Sequence, residues 1–245
     1  IVSSLVLSEK GSQEKFLYYT SLLFLPSRLR INPVIQYYIS SKVCFIKGEP
    51  GIGKTHILAK MCSKLTLNKE PLFLFILGFK FTTNENILIQ LQKIAGSEFS
   101  FEDYLVYLNE YGKDRNSIVF FIIDAINEGN YLNLWKKDGL YQLIREIENK
   151  EFLKLIISFR SDYEQLLVSD EVKKKIDSGL VSEILHHGLD IDTIESVYKF
   201  FNIYGIGFCP LDYIDENYTN PLYVRLLCEC LSKVNNVLTN NSSPF

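Results

Sequence analysis

Gly48-Glu49-Pro50-Gly51-Ile52-Gly53-Lys54-Thr55 follows the apolar run Val43-Cys44-Phe45-Ile46 and precedes a stretch in which Ile57, Leu58, Met61, Cys62 and Leu65 recur at helical spacing. The octet fits G-x-x-x-x-G-K-[ST] at each fixed position. A strand, a glycine-rich loop and a helix in that order make a cradle for phosphates. Glycines at 48, 51 and 53 let the backbone close around an anion, because no Cβ stands in the way. The loop's N–H groups turn inward, and the helix adds its own unpaired N–H groups and the positive end of its dipole. In such a cradle Lys54 reaches the outer phosphates, and the Thr55 hydroxyl is a ligand for Mg2+. The competing reading is a chance glycine turn before a helix. The flanking strand and helix argue against it.

Outward from the loop, apolar runs and helical patterns alternate. Leu72–Leu77, Ile118–Ile123, Leu155–Phe159 and Val181–Leu185 read as further buried strands. Between them, Asn84–Ala95 reads as a helix stopped by Gly96. Ser100-Phe101-Glu102-Asp103 resembles a capping box opening a helix that ends near Gly112, and Leu140–Ile147 reads as another helix. This alternation predicts an α/β fold, a parallel five-stranded sheet with helices on both faces. After Asp190 the pattern is helical, at Asp192–Tyr204, at roughly 212–217 and at 221–234, as at the start of a small helical subdomain. The Asn- and Ser-rich tail from Asn235 to Phe245 is expected to fray. Upstream, Glu14–Phe24 reads as a leading helix, broken by Pro26 and Pro33. The expected organisation is a helical lead-in over 1–40, a nucleotide-binding domain over 41–190, and an incomplete helical subdomain with its tail over 191–245.

The bulk numbers set limits. A chain of 245 residues suits one α/β domain with an appendage, or two small domains. An apolar fraction of 47% supplies a sizeable core, and 22% charged residues argue against a disordered chain. The net charge is −3, without the basic excess of a chain that grips nucleic acid by its phosphates, so nucleic acid is not indicated. The five cysteines are odd in number and lack zinc-site spacing, which points to free thiols in a reducing cytoplasm. Cys228 and Cys230, two apart, point to different sides of a helix. The apolar run Ile118–Ile123 falls far short of the ~18 residues of a spanning helix, and no membrane is expected. No signal pattern opens the chain, and a start at Ile1 reads as a segment of a larger protein.

Three further elements carry chemistry. The strand Ile118-Val119-Phe120-Phe121-Ile122-Ile123 ends in Asp124, an acid at the carboxyl edge of the sheet and a candidate outer-sphere Mg2+ partner. Glu128, in Asp124-Ala125-Ile126-Asn127-Glu128, could orient or deprotonate an attacking water; otherwise it is a loop acid without a chemical role. Arg160 ends Leu155-Ile156-Ile157-Ser158-Phe159-Arg160, where a guanidinium can read a terminal phosphate bidentately; the alternative is a surface ion pair. Asn220-Pro221-Leu222 opens the last helix, with proline suited to a first turn. His186 and His187 read as structural, Trp135 as core, and Lys173-Lys174-Lys175 as a solvated helix face.

In order, Gly48–Thr55, the run into Asp124-Ala125-Ile126-Asn127-Glu128, Ile157-Ser158-Phe159-Arg160 and Asn220-Pro221-Leu222 resemble the signal-transduction ATPases with numerous domains. This is the STAND class of P-loop NTPases, which includes the NACHT proteins. Gly53-Lys54-Thr55-His56 and the Asp-Ala-Ile-Asn-Glu stretch look like the prokaryotic antiviral members, and the resemblance spans about 43–231. It implies ATP with Mg2+, held by residues 48–55 and His56, with Arg160 as the sensor arginine and Pro221 packed on the adenine. It also implies self-association on activation, a fused N-terminal effector and a C-terminal sensor region. Many hydrolytic relatives carry Glu directly after the Asp. Ala125 stands there in this chain, so either Glu128 does that work or hydrolysis is slow. The guanine motif Asn-Lys-x-Asp is absent: Asn149-Lys150 runs into Glu151-Phe152, and Asn68-Lys69 into Glu70-Pro71. The expected function is a slowly hydrolysing ATP switch within a larger signalling or defence protein. The alternative is an ATP-driven, AAA-like remodelling motor acting on nucleic acid or protein.

Overall fold

A computed structural model describes residues 41–67, 73–129, 131–189, 193–207 and 216–240. The expected leading helix, Cys209 and the tail beyond Asn240 lie outside the described residues. The strands are β1 (Val43–Gly48), β2 (Phe73–Leu77), β3 (Val119–Asp124), β4 (Leu153–Arg160) and β5 (Val181–Leu185). They form one sheet in the order β2-β3-β4-β1-β5, the parallel sheet that the alternation of strands and helices predicts. The main helices are α1 (Lys54–Leu67), α2 (Ile87–Ala95), α3 (Phe101–Asp114), α4 (Leu140–Glu148), α5 (Asp170–Asp177), α6 (Thr193–Ile203) and α7 (Pro221–Asn240).

The chain divides into two compact units. One holds the described residues through Lys47 together with Thr55–Leu185. The other holds Gly48–Lys54 together with the described residues from His186 onward.

In the first unit the two-residue period of the strands sorts side chains between the faces of the sheet. Val43, Phe45, Val119, Phe121, Ile123, Leu155, Ile157 and Phe159 enter a large core with apolar residues of α2, α3, α4 and α5. Cys44, Ile46, Phe120, Ile122 and Ile156 turn to the opposite face, where Leu58 and Cys62 of α1 cover them. Both faces are therefore apolar, which is why these strands read as unbroken hydrophobic runs. Phe45 and Phe159 meet edge to face at 5.5 Å in the larger core. Trp135 is buried there too.

In the second unit Val197, Phe200 and Phe201 of α6 pack with Ile206, Tyr218, and Val224 and Cys228 of α7. Cys228 is buried and Cys230 exposed, as their spacing on one helix requires. The described cysteines are all free thiols. No helix among the described residues is long and apolar enough to cross a membrane.

Several boundaries differ from the sequence reading, each for a local reason. α2 starts at Ile87 and not Asn84, because the Asn86 side chain accepts from Leu88 N–H and caps the helix there. Gly96 does end it, in the left-handed conformation (φ 62°). Ser100 caps α3 by accepting from Asp103 N–H, but α3 passes through Gly112 to Asp114. Gly112 serves close packing, since a Cβ there would lie 2.8 Å from both Phe152 Cβ and Ser117 O. α7 continues to Asn240, beyond the expected end at 234. Within the expected helix near 212–217, the described part joins the 3-10 turn Glu216–Thr219.

Phe159→Ala is expected to cost about 3–5 kcal/mol of stability, because a fully buried ring leaves a cavity. Phe99→Ala, at an exposed ring, is expected to stay within about 0.5 kcal/mol. Urea unfolding of the two variants beside the parent chain measures both.

Candidate functional site

β1, β3 and β4 end at Gly48, Asp124 and Arg160, on the carboxyl edge of the sheet. From β1 the chain crosses to β2 at the far edge, whereas β5 lies on β1's other side. Open α/β sheets bind ligands at such a reversal of strand order. The glycine-rich loop leaves β1 at this place.

In the loop, Gly51 and Gly53 take φ of 73° and 103°, conformations that a Cβ opposes. Lys54 is only 8% exposed, and its ammonium donates to the carbonyls of Gly48 and Glu49, each at 2.8 Å. These acceptors are dipoles; a polyphosphate would bring full negative charge to the same ammonium. Glu49 and Pro50 are exposed and Ile52 is buried.

The start of α7 belongs to the same unit as the loop. The Asn220 amide donates to Pro50 O at 3.1 Å, while its Oδ1 accepts from Leu222 N–H at 3.0 Å. One side chain thus caps α7 and ties it to the phosphate loop. A Cβ on Gly51 would lie 2.7 Å from Leu222 Cβ. One on Gly53 would lie 3.9 Å from Pro221 Cγ and 3.5 Å from His186 Nε2. Pro221 therefore stands beside the loop, and so does His186, which its sequence context marks only as structural. His186 follows β5, and only the strand order reveals that β5 runs next to β1.

In the first unit, period-two alternation carries Asp124 and Ser158 to the face that α1 covers, in step with Ile122 and Ile156. Asp124 is buried and accepts a hydrogen bond from the Ser158 hydroxyl. Burial pushes the Cys62 thiol of α1 up to about 12, with the Asp124 charge adding to it. Thr55 is exposed in the first turn of α1, and His56 beside it is half-buried. Burial, with Lys60 nearby, holds the His56 imidazole below its ordinary value. Glu128 is exposed, its backbone N–H donating to Ala125 O at 2.9 Å. Arg160 donates to Asp162 Oδ2 at 2.8 Å and lies over the Tyr163 ring, 5.4 Å from its centroid. Its buried Nε has no hydrogen-bond partner among the described residues.

Among the described residues no group of three or more His, Cys, Asp or Glu side chains could hold a metal ion. A hydroxyl and one carboxylate are hard oxygen donors that suit Mg2+, which retains waters and takes phosphate oxygens as further ligands. The loop geometry and the buried Lys54 fit a phosphate-bearing ligand.

No protein-family model matches the chain, and no curated protein matches it. Solved structures do. A DNA replication initiation factor superposes with a TM-score of 0.54 at 16% identity, over 93% of this chain and 63% of that one. Cdc6p from Pyrobaculum aerophilum gives 0.51 at 15% identity, over 90% and 66%. AMPPCP-bound DnaA from Aquifex aeolicus gives 0.51 at 15% identity, over 86% and 62%. The likeness is one of fold, that of the P-loop NTPases. This chain spans just under two thirds of the length of each.

Gly51→Ala is expected to destabilise the chain by about 1–3 kcal/mol, from left-handed strain and collision with Leu222. A thermal melt checks it. His56 carries a second expectation. Its folded pKa lies below the ordinary 6.5, so the unfolded chain takes up the proton first as pH falls. The stability from neutral His56 is complete above about 6.5 and is lost below it. Comparing melting temperatures at about pH 7.5 and about pH 5.5 should show a smaller drop for His56→Gln than for the parent.

Proposed function

We propose that this chain is the ATP-binding switch domain of a STAND-class protein, using Mg2+ and hydrolysing ATP slowly. The observation that carries the reading is the shared unit of phosphate loop and α7, joined by Asn220 to Pro50 O and packed at Gly51 and Leu222. Phosphates entering the loop draw Lys54 toward full negative charge and reset the positions of Pro50 and Gly51. The start of α7 must follow, because Asn220 both grips that loop and caps the helix. Nucleotide state is thereby converted into a displacement of a helix.

The remaining roles rest on the chemistry of the motifs and on the resemblance to the STAND class. Thr55 and Asp124 would hold Mg2+, which when bound offsets the charge of the phosphate oxygens. Pro221 offers an apolar ring for the adenine. Arg160 reads the terminal phosphate, and Glu128 orients the attacking water. Ala125 occupies the place of the usual glutamate, which supports slow turnover. Self-association and fused effector and sensor domains belong to the same proposal, on the resemblance to the STAND class.

Calorimetric titration with ATP and GTP, with and without Mg2+, tests the reading. ATP is expected to bind more tightly than GTP, Lys54→Ala to abolish binding, and Pro221→Ala to weaken it several-fold. Equal affinity for GTP with no effect of Pro221→Ala would leave a phosphate-binding loop and remove the STAND assignment. Turnover that rises sharply with added DNA would favour the remodelling-motor reading instead.

A further inference from the structure

The hydrogen bonds that join the β4 tip to the turn after β3 centre on Ser158, a fully buried polar residue. Its Oγ accepts from Ala125 N–H at 2.8 Å. A hydroxyl has one proton, and that proton goes to Asp124 Oδ1. Its carbonyl accepts from Ile126 N–H at 3.1 Å. Residue 158 thus holds three consecutive residues, and Asn127 Oδ1 extends the seam by accepting from Arg160 N–H at 3.0 Å.

The backbone bends to make this possible. Ala125 takes φ of 56°, a left-handed conformation that is costly for alanine and persists only where the surroundings enforce it. That bend presents the Ala125 N–H to Ser158, which in turn frees the serine proton for the carboxylate. An apolar residue at 158 could fill the space but supply neither bond. The hydroxyl's hydrogen bond offsets part of the desolvation of the buried carboxylate and constrains its plane.

We propose that Ser158 is the positioning residue for Asp124, orienting its carboxylate toward Mg2+ bound with the nucleotide. The proposal rests on the reading of Asp124 as a partner of that metal. Residues that orient metal-binding groups typically contribute about 10–100-fold to metal affinity. Ser158 is accordingly expected to govern the Mg2+-dependent part of nucleotide binding and to leave the Mg2+-free part alone.

The test is calorimetric titration of ATP at a series of Mg2+ concentrations and in excess chelator, on the parent chain, Ser158→Ala, Ser158→Cys and Ser158→Thr. In Ser158→Ala the Mg2+ midpoint is expected to rise by about tenfold while affinity in chelator stays at the parent value. Ser158→Thr, which keeps the hydroxyl, should restore the midpoint. If Ser158→Ala does not fold, Ser158→Cys, nearly isosteric and a weak donor, should show the same rise. An unchanged midpoint, or an equal loss with and without Mg2+, would overturn the positioning role while ATP binding stands. A parent chain whose ATP affinity ignores Mg2+ would overturn both the role and the metal reading beneath it.

Discussion

Burial of the sheet on both faces is the constraint from which the rest follows. Where α1 covers one side and α2 to α5 the other, a strand can carry polar side chains only near its ends, or inside with every hydrogen bond met. β3 and β4 obey this closely. Their interiors are otherwise apolar, and Asp124 and Arg160 come where the strands run out. Parallel pairing brings those ends to one edge, so chemically capable groups gather there without any need for them to be near in sequence. Ser158 is the exception that fits the rule, being fully buried but bonded as both acceptor and donor.

The phosphate loop solves a different problem. Its backbone must present N–H groups inward, which two left-handed glycines permit, and it must hold a buried ammonium until an anion arrives. Carbonyls of Gly48 and Glu49 do the holding. Such a loop is poised, since its internal bonds are weaker than those a charged ligand offers. On the proposed reading, attaching the start of α7 to it through Asn220 places a long helix under the control of that exchange.

Much of this could be read from the chain. Buried strands announce themselves as apolar runs, and the loop octet is specific because each fixed position has a geometric reason. Ser100 and Gly96 were legible as helix signals because capping is local, decided within a few residues. Asn86 shows the limit: the pattern continued back to Asn84, and only the side-chain bond to Leu88 N–H marks where the helix begins. What could not be read was order across the sheet. His186 stands by the loop because β5 lies next to β1, and Ser158 meets Asp124 because β4 lies next to β3. Neither adjacency is written in periodicity. Arg160 is intermediate, since its ion pair with Asp162 is local and one of the two readings open from sequence.

Ala125 links the sheet edge to the rate of the proposed chemistry. It follows Asp124 directly, is 8% exposed, and sits in a left-handed bend locked by Ser158. A glutamate in its place would have to take that bend with a long charged side chain leaving a nearly closed position, at a cost in both strain and desolvation. The turn is therefore built around a small residue. The next acid, Glu128, is exposed, and the turn reaches it through a single backbone bond to Ala125 O. An acid held that loosely spends little of its time in the geometry that activates water, and orientation is where much of a catalytic base's effect arises. On the proposed reading, slow hydrolysis is a consequence of how β3 is locked to β4. On that reading, the same bonds that orient Asp124 exclude the side chain that would make turnover fast, which suits a domain whose nucleotide must persist long enough to report a state.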